Sequence, residues 1–252
     1  MVDKVLKNLN TYKIYIKDLS VIRKGETSDT YVGTYLNKKI ILKDYSDKKF
    51  KIHINSYLDK KILTQLANKK IFPKIIFHKP KINILIYEYV EELPYKKNNQ
   101  LIARLGNQIR TIHKIKIEDD IHQFEDQIEK YKSILGNRLK TDFQNLEKLI
   151  KKSREYNSKI RFSHNDLNIN NIINSHEICF IDFEYASLNN IFCDISKVIE
   201  EYSFNELEID ILLSGYGIKY SQSTKDQIAI WKDINILLSN IWAEMMSHIV
   251  VN

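Results

Sequence analysis

The sequence of 252 residues contains little cysteine, proline or glycine, and each shortage excludes a class of protein. Its two cysteines, Cys179 and Cys193, provide neither a disulfide framework nor metal-site spacing, and their apolar neighbours indicate buried free thiols. With 3 Pro and 6 Gly, low-complexity linkers are not expected. The chain also shows no repeat of fixed period.

Long apolar runs are missing as well. No run approaches the roughly 18 residues that a membrane helix needs, so membrane insertion is not expected. The first ten residues, MVDKVLKNLN, lack the apolar core of a signal peptide. We therefore expect a cytoplasmic protein.

Positive charge is present in excess, with 39 Lys and Arg against 32 Asp and Glu and a net charge of +7. A basic protein can bind nucleic acid, a membrane surface or a phosphorylated small molecule. Because the lysines are spread along the chain and no nucleic-acid-binding motif accompanies them, a nucleic-acid partner is not expected. The sequence leaves the oligomeric state open.

The first ninety residues favour strands. Their β-like runs are YKIYIK (12–17), YVGTYL (31–36), KIILK (39–43) and INILIYEYV (82–90). Between the last two runs, the helical spacing of Ile54, Leu58, Ile62 and Leu66 predicts one helix.

Beyond Pro94 the pattern becomes helical. The spacing of Leu101, Leu105 and Ile109 predicts a helix, an amphipathic stretch follows over 122–156, and helical patterns return after Asn190. Two short β-like pieces, KIRFSH and EICFIDF, interrupt this region. We predict an α+β fold with a small sheet-rich lobe over 1–92 and a larger helical lobe over 93–252.

The segment FSHNDLNINNII (162–173) contains a histidine, an aspartate and four asparagines between apolar residues. One interpretation is a turn, because such side chains bond their own backbone. The other is catalytic: His164, Asp166 and Asn171 follow the spacing H-x-D-x-x-x-x-N, and Asp182 lies eleven residues further on in FIDFEYA. The spacing H-x-D-x-x-x-x-N or the segment FIDFEYA would be weak evidence for catalysis alone, whereas the two in this order are a specific signal.

These residue types suit phosphoryl transfer from ATP, which needs positioning and charge neutralisation more than covalent help. Mg²⁺ prefers oxygen ligands, with only one or two from the protein. Asp182 can supply a carboxylate and Asn171 an amide oxygen. Asp166 can instead face an acceptor hydroxyl and take its proton.

The segments SHNDLNINNII and ICFIDFEYA resemble the catalytic core of the choline/ethanolamine kinases, within the aminoglycoside-phosphotransferase group of protein-kinase-like folds. HNDL and IDFEYA are closer to the choline kinases, including bacterial ones, than to the drug-modifying enzymes. The resemblance implies ATP and Mg²⁺ as cofactors, a nucleotide-binding first lobe with a hinge, and a catalytic second lobe. The roles it implies are a base, Asp166, with His164 in support, and metal-side oxygens at Asn171 and Asp182. Glu184 would be a further metal-side or substrate-side carboxylate, and Asp194 a structural brace.

The resemblance extends to the nucleotide side. KKIILKDYS matches the strand whose lysine holds the phosphates, which implies Lys43, although a solvated lysine would look the same. KGETSDTY resembles the phosphate-covering hairpin and offers Thr27 and Ser28. LIYEYVEE resembles the hinge that binds adenine between Glu88 and Val90, although a buried edge strand gives the same pattern. Asp59 stands where the family has a glutamate that pairs with the lysine.

Choline kinases bind their substrate with acids and aromatic residues, because a quaternary ammonium cannot donate a hydrogen bond. The matching positions are Asn168, Tyr185, Glu201, Trp242 and Met245, where Met245 replaces a second tryptophan. Each has a structural alternative: Trp242 shares a helix face with Leu238 and Met246, and Glu201 suits a solvated helix face.

The expected function is an ATP- and Mg²⁺-dependent kinase for the hydroxyl of a small amino alcohol, with choline first and ethanolamine next. Three alternatives stay open. The first is a kinase of the same fold that acts on thiamine, an aminoglycoside or a sugar. The second is a non-catalytic nucleotide-binding protein, and the third is a basic nucleic-acid-binding protein.

Overall fold

The computed structural model describes residues 2–25, 28–45, 60–117, 121, 123–156 and 159–251. The chain divides into two compact units. The first comprises Met1–Leu93 with Ile173–Ile181, and the second comprises Pro94–Ile172 with Asp182–Asn252. The functions expected of the two predicted lobes, nucleotide binding and catalysis, stay predictions.

The first unit is built on a five-stranded antiparallel sheet with the strand order β1-β2-β3-β5-β4. The strands are β1 (Lys17–Lys24), β2 (Asp29–Tyr35), β3 (Lys38–Asp44), β4 (Ile75–Lys79) and β5 (Ile84–Glu88). Two helices accompany them, α1 (Val2–Asn10) and α2 (Lys60–Asn68).

One face of this sheet forms a core with α1. Alternate residues of the central strands, including Tyr31, Ile40 and Leu42, are buried against Val5 and Leu9. This alternation is the period of two that the strand predictions relied on. The apolar positions therefore fix which face of the sheet is covered.

The strand predicted over 12–17 is wrong, because β1 begins only at Lys17. Residues 11–13 form a turn that ends α1, in which Tyr12 N–H donates to Leu9 O (2.9 Å) and Lys13 takes a φ of 59°. The first part of the helix predicted from Ile54 to Leu66, residues 54–59, lies outside the described residues. The remainder of the prediction falls within α2.

The second unit is mainly helical. Its helices are α3 (Asn99–Ile112), α4 (Phe124–Leu135), α5 (Lys140–Arg154), α6 (Phe192–Glu201), α7 (Glu206–Tyr216) and α8 (Gln222–Val251). A two-stranded sheet pairs β6 (Ile160–Ser163) with β9 (Ser187–Asn190). Strands β7 (Ile172–Ile173) and β8 (Cys179–Phe180) form another small sheet.

Backbone geometry explains two features of these helices. The amphipathic stretch 122–156 is two helices, because Gly136 and Leu139 take positive φ values of 57° and 54° between α4 and α5. Helices α3 and α7 approach closely at Gly106 and Gly215, where an added Cβ would clash with the opposite backbone. None of the helices in the described part of the chain is long and apolar enough to cross a membrane.

Candidate active site

The sheet register of the second unit brings the two halves of the sequence motif together. Phe162 pairs with Leu188 and Ser163 pairs with Ser187 in an antiparallel ladder. Residues that follow Ser163 therefore lie beside residues that precede Ser187. This register sets the loop 164–171, here named the motif loop, against the turn that follows Asp182.

Asp194, at the start of α6, is fully buried and makes the contacts that a brace of the motif loop requires. Its Oδ2 accepts from His164 N–H (2.8 Å), and its Oδ1 accepts from Asn165 N–H (2.8 Å). His113 Nε2 lies 3.0 Å from Oδ2, and His113 Nδ1 lies 2.7 Å from the Tyr216 hydroxyl. The loop is thus tied to α3, α6 and α7.

These contacts control the ionisation of Asp194. Burial alone would raise its pKa, but the hydrogen bond and charge of His113, with further interactions at His164, outweigh it and hold the pKa below its ordinary value. Asp194 is therefore held as a carboxylate inside the protein.

Asp166 has a different environment at the outer part of the same loop. Its Oδ1 accepts from Asn168 Nδ2 (3.0 Å) and its Oδ2 accepts from Asn171 Nδ2 (2.8 Å). Burial raises its pKa, the negative charge of Asp182 adds to this, and His164, Asn168 and Lys197 offset it in part. Such a carboxylate binds a proton more readily than an exposed one.

His164 contacts the motif loop from its buried side. It is fully buried, its ring lies 4.3 Å from the ring of Phe183, and its Nδ1 accepts from Asp166 N–H at 3.3 Å. Its contacts are therefore to the backbone and core of the loop.

The predicted metal-side oxygens lie on the two connections that the register brings together. Asn171 directs its amide nitrogen at both Asp166 O (2.9 Å) and Asp166 Oδ2, so its amide oxygen is at the other end of the group. Asp182 takes a left-handed conformation (φ 62°) and starts the short turn Phe183–Tyr185 that carries Glu184.

This donor set consists of hard oxygens, one from an amide and the others from carboxylates. No group of three His, Cys, Asp or Glu side chains able to hold a metal occurs among the residues that the structure describes. A set of one amide oxygen and two carboxylates fits Mg²⁺, which takes few protein ligands and completes its shell with phosphate and water oxygens. It does not fit a transition-metal centre built from histidine and cysteine.

The predicted acceptor-side residues divide into three environments. Trp242 is half-buried and donates from Nε1 to the Tyr185 hydroxyl at 3.0 Å, whereas Met245 is fully buried in α8. Asn168 lies in the motif loop, where its side chain accepts from Asn170 N–H (3.0 Å) as well as donating to Asp166.

Glu201 contacts the motif loop directly. Its Oε2 accepts from Ile169 N–H (3.1 Å), and its Oε1 pairs with Lys197 Nζ at 2.8 Å. Glu201 thus holds the loop next to Asn168, a contact that the solvated-helix interpretation does not include.

A tyrosine that the sequence did not indicate lies close to these groups. Tyr131 of α4 is 2% exposed, and its hydroxyl accepts from Gln127 Nε2 at 2.5 Å. Burial strongly raises its pKa, and the charges of Asp166 and Glu184 raise it further. The only sequence signal was helical spacing, which placed Gln127 and Tyr131 on one helix face without showing what that face meets.

On the nucleotide side, in the first unit, Lys43 is buried in β3 and its Nζ lies 3.4 Å from Ser28 Oγ. Thr27 and Asp59, the other residues predicted near it, lie outside the described residues. The predicted pairing of Asp59 with Lys43 therefore stays a prediction.

The predicted hinge follows β5. Glu88 N–H donates to Lys74 O (2.9 Å), so this N–H is already engaged within the first unit. Its carboxylate pairs with Lys38 (3.0 Å) and Lys74 (3.7 Å), and these contacts, the Lys38 hydrogen bond foremost, lower its pKa. Val90 lies just beyond the strand end.

Solved structures share this fold. The chain superposes on choline kinase LicA from Streptococcus pneumoniae with a TM-score of 0.76 and 21% identity, covering 98% of this chain and 91% of that one. A structure of LicA in complex with AMP matches with a TM-score of 0.71 and 21% identity, over 96% and 89%. An ethanolamine kinase from Plasmodium vivax matches with a TM-score of 0.71 and 18% identity, over 97% and 78%.

These likenesses define a protein-kinase-like, two-lobed α+β fold, so the predicted fold class is confirmed. A model of the family described as choline/ethanolamine kinase matches residues 27–227. The chain belongs to the choline/ethanolamine kinase family, as its motifs predicted. No curated protein sequence matches it closely enough to add a relative.

Proposed function

We propose that this protein transfers the γ-phosphoryl group of ATP to the hydroxyl of choline, with ethanolamine as the next best acceptor. Membership of the family supports a small-molecule kinase. The observation that carries the assignment of the site is the orientation of Asn171, whose amide nitrogen is held by Asp166. This leaves the amide oxygen for a cation while Asp166 faces the acceptor.

In this mechanism, Asp166 accepts a hydrogen bond from the acceptor hydroxyl and takes its proton as the new P–O bond forms. Asn168 and Asn171 hold the two carboxylate oxygens of Asp166 in place. The raised pKa of Asp166 makes it a better proton acceptor than an exposed aspartate. His164 and Asp194 fix the backbone on which Asp166 lies.

Asn171, Asp182 and Glu184 would hold Mg²⁺, which supplies neutralisation of the phosphate charge when it is bound. Lys43, which lies beside Ser28 on β3, would bind phosphate oxygens, and the backbone between Glu88 and Val90 would bind adenine, as the resemblance implies. The structure of LicA with AMP supports nucleotide binding by this fold.

Choline is favoured as the acceptor by the combination of aromatic and acidic groups near Asp166. Trp242 and Tyr185 are joined by a hydrogen bond and present ring surface, and Glu184 acts electrostatically on Tyr185. A quaternary ammonium is recognised by such faces and by nearby negative charge. The buried Met245 contributes no second indole, so ethanolamine, which can donate hydrogen bonds, is the closest competitor.

The test is a transfer assay with choline, ethanolamine, thiamine and kanamycin in parallel, in which both ADP release and the phosphorylated product are measured. We expect phosphocholine at the highest kcat/KM, phosphoethanolamine next, and no product without Mg²⁺. Preferred phosphorylation of thiamine or kanamycin would contradict the acceptor assignment. ATP binding without any product would support the non-catalytic alternative.

A further inference from the structure

Asn165, between His164 and Asp166, adopts a left-handed backbone conformation with a φ of 64°. Asparagine tolerates this region better than most residues, and glycine tolerates it best. The backbone conformation alone would therefore permit glycine. The side chain of Asn165 needs a separate explanation.

The Asn165 side chain connects the motif loop to the segment after Glu184. Its Nδ2 donates to Tyr185 O and to Ser187 Oγ, both at 2.8 Å. Tyr185 directly follows Glu184, and Asn165 directly precedes Asp166. A single amide group thus joins the backbone next to the proposed base to the backbone next to a proposed metal-side carboxylate.

The orientation of this amide group is fixed by its neighbours. Asn165 Oδ1 accepts from Asn189 Nδ2 (2.8 Å) and lies 3.4 Å from Cys193 Sγ. Asn189 must present its nitrogen, because its Oδ1 already accepts from Asn190 N–H (2.7 Å). The donor end of Asn165 is therefore directed at Tyr185 and Ser187.

We propose that Asn165 is a positioning residue that sets Asp166 against the Glu184 segment through its hydrogen bonds to Tyr185 and Ser187. The inference rests on the proposed kinase function and gives a role to a position that the spacing H-x-D-x-x-x-x-N leaves unassigned. With the link intact, the acceptor hydroxyl held by Asp166 lies in line with the phosphoryl group. Without this link, the position of Asp166 relative to the Glu184 segment is less firmly fixed.

Water is a less demanding acceptor than choline, since it needs no fixed orientation. A misplaced Asp166 therefore reduces transfer to choline more than it reduces hydrolysis of ATP. The informative quantity is the ratio of phosphocholine formed to ATP consumed. A merely structural role would lower the amount of active protein and reduce both rates in the same proportion.

Three variants separate the contributions. Asn165→Asp keeps size and shape but loses the donor to Tyr185 O, and Asn165→Gly keeps the positive φ but removes the side chain. Asn189→Ala leaves the Asn165 side chain in place but removes the amide that orients it, together with the acceptor of Asn190 N–H. The matched control is Asn137→Ala, an exposed loop asparagine between α4 and α5.

For the wild type we expect phosphocholine to account for most of the ATP consumed. For Asn165→Asp and Asn165→Gly we expect transfer to fall by about 100-fold, as displacement of about 1 Å does in oriented reactions. The ratio should fall by about tenfold, because hydrolysis is less sensitive to orientation. Asn189→Ala should show a smaller change in the same direction, and Asn137→Ala none. Thermal denaturation of each variant checks that the protein is folded.

Two results would overturn the inference. Unchanged transfer in both Asn165 variants would show that the link does not position Asp166, and an unchanged ratio with both rates reduced would show a purely structural role. In either case the wild type would still make phosphocholine, so the proposed function would stand. A wild type that phosphorylates no acceptor would overturn both proposals.

Discussion

Asp166 and Asp194 both contact the motif loop, yet their surroundings shift their pKa values in opposite directions. Asp194 is enclosed by His113 and by backbone N–H groups of the loop, and its pKa is lowered despite complete burial. Asp166 is held by neutral amides near Asp182, and its pKa is raised. One site stabilises a negative charge, whereas the other leaves it only partly stabilised.

We interpret this difference as one between a carboxylate that stabilises the fold, Asp194, and the proposed base, Asp166. A lowered pKa means that ionisation of Asp194 favours the folded state. A raised pKa means that ionisation of Asp166 opposes folding, and a group in that condition is suited to accept a proton. The two aspartates should therefore respond differently to removal.

The largest expected effect is on catalysis by Asp166→Ala. Loss of the proton acceptor should lower kcat for phosphocholine formation by about 1,000-fold, within the range measured for general bases. Initial rates at saturating ATP and choline measure this change. Asp233→Ala, at an exposed position of α8, is the control and should retain wild-type rates. A variant at Asp166 that kept most of its activity would mean that another group acts as the base.

Next in size is the effect of Asp194→Ala on stability. Removal of this buried carboxylate leaves His113 and two loop N–H groups without their acceptor, so the free energy of unfolding should fall by about 3–5 kcal/mol. Urea denaturation followed by circular dichroism measures it. A fall of less than about 1 kcal/mol would show that the network adds no more than an ordinary hydrogen bond.

The motif loop could be predicted from the sequence because its information is local. Residue spacing placed Asp166 five positions before Asn171, and the apolar run before Asp182 indicated the strand that precedes it. Even the fold class followed from periodicity and from the resemblance. The strand predicted at 12–17 failed because a left-handed turn at Lys13, which periodicity cannot reveal, ends α1 there.

Other parts of the site depend on packing between distant segments. His113 meets Asp194 across 81 residues, and nothing in TIHKIKI indicates that partner. Tyr131 reaches the surroundings of Glu184 only through the placement of α4. Glu201 is a plain carboxylate in the sequence, and its bond to Ile169 N–H follows from how α6 packs on the loop.

A smaller change is expected for Tyr131→Phe, which removes one hydroxyl near the reactive carboxylates. Gln127 loses its acceptor in a region where Tyr131 interacts electrostatically with Asp166 and Glu184, and we expect kcat/KM for choline to fall by no more than about tenfold. The KM for ATP should not change. Steady-state kinetics with each substrate varied provide the measurement, and Tyr15→Phe, at a side chain that is 65% exposed, is the control. An equal loss in both variants would exclude a role for Tyr131.

The smallest effect is expected at Glu88, a carboxylate whose pKa is lowered like that of Asp194 but whose ion pairs are exposed. Solvent screens its pairs with Lys38 and Lys74, so Glu88→Gln should change the free energy of unfolding by less than about 1 kcal/mol. The same urea titration applies. A larger loss would show that a lowered pKa alone, without burial, identifies a structural carboxylate.

The most direct test of the difference between the two aspartates is the pH dependence of unfolding for the wild type, Asp166→Ala and Asp194→Asn. Relative to the wild type, Asp194→Asn should be less stable at neutral pH, and this deficit should shrink as pH falls below about 3.8, through the lowered pKa of Asp194. Asp166→Ala should gain stability relative to the wild type as pH rises through the raised pKa of Asp166. Parallel curves for the two variants would contradict the assignment of one aspartate to the fold and the other to the reaction.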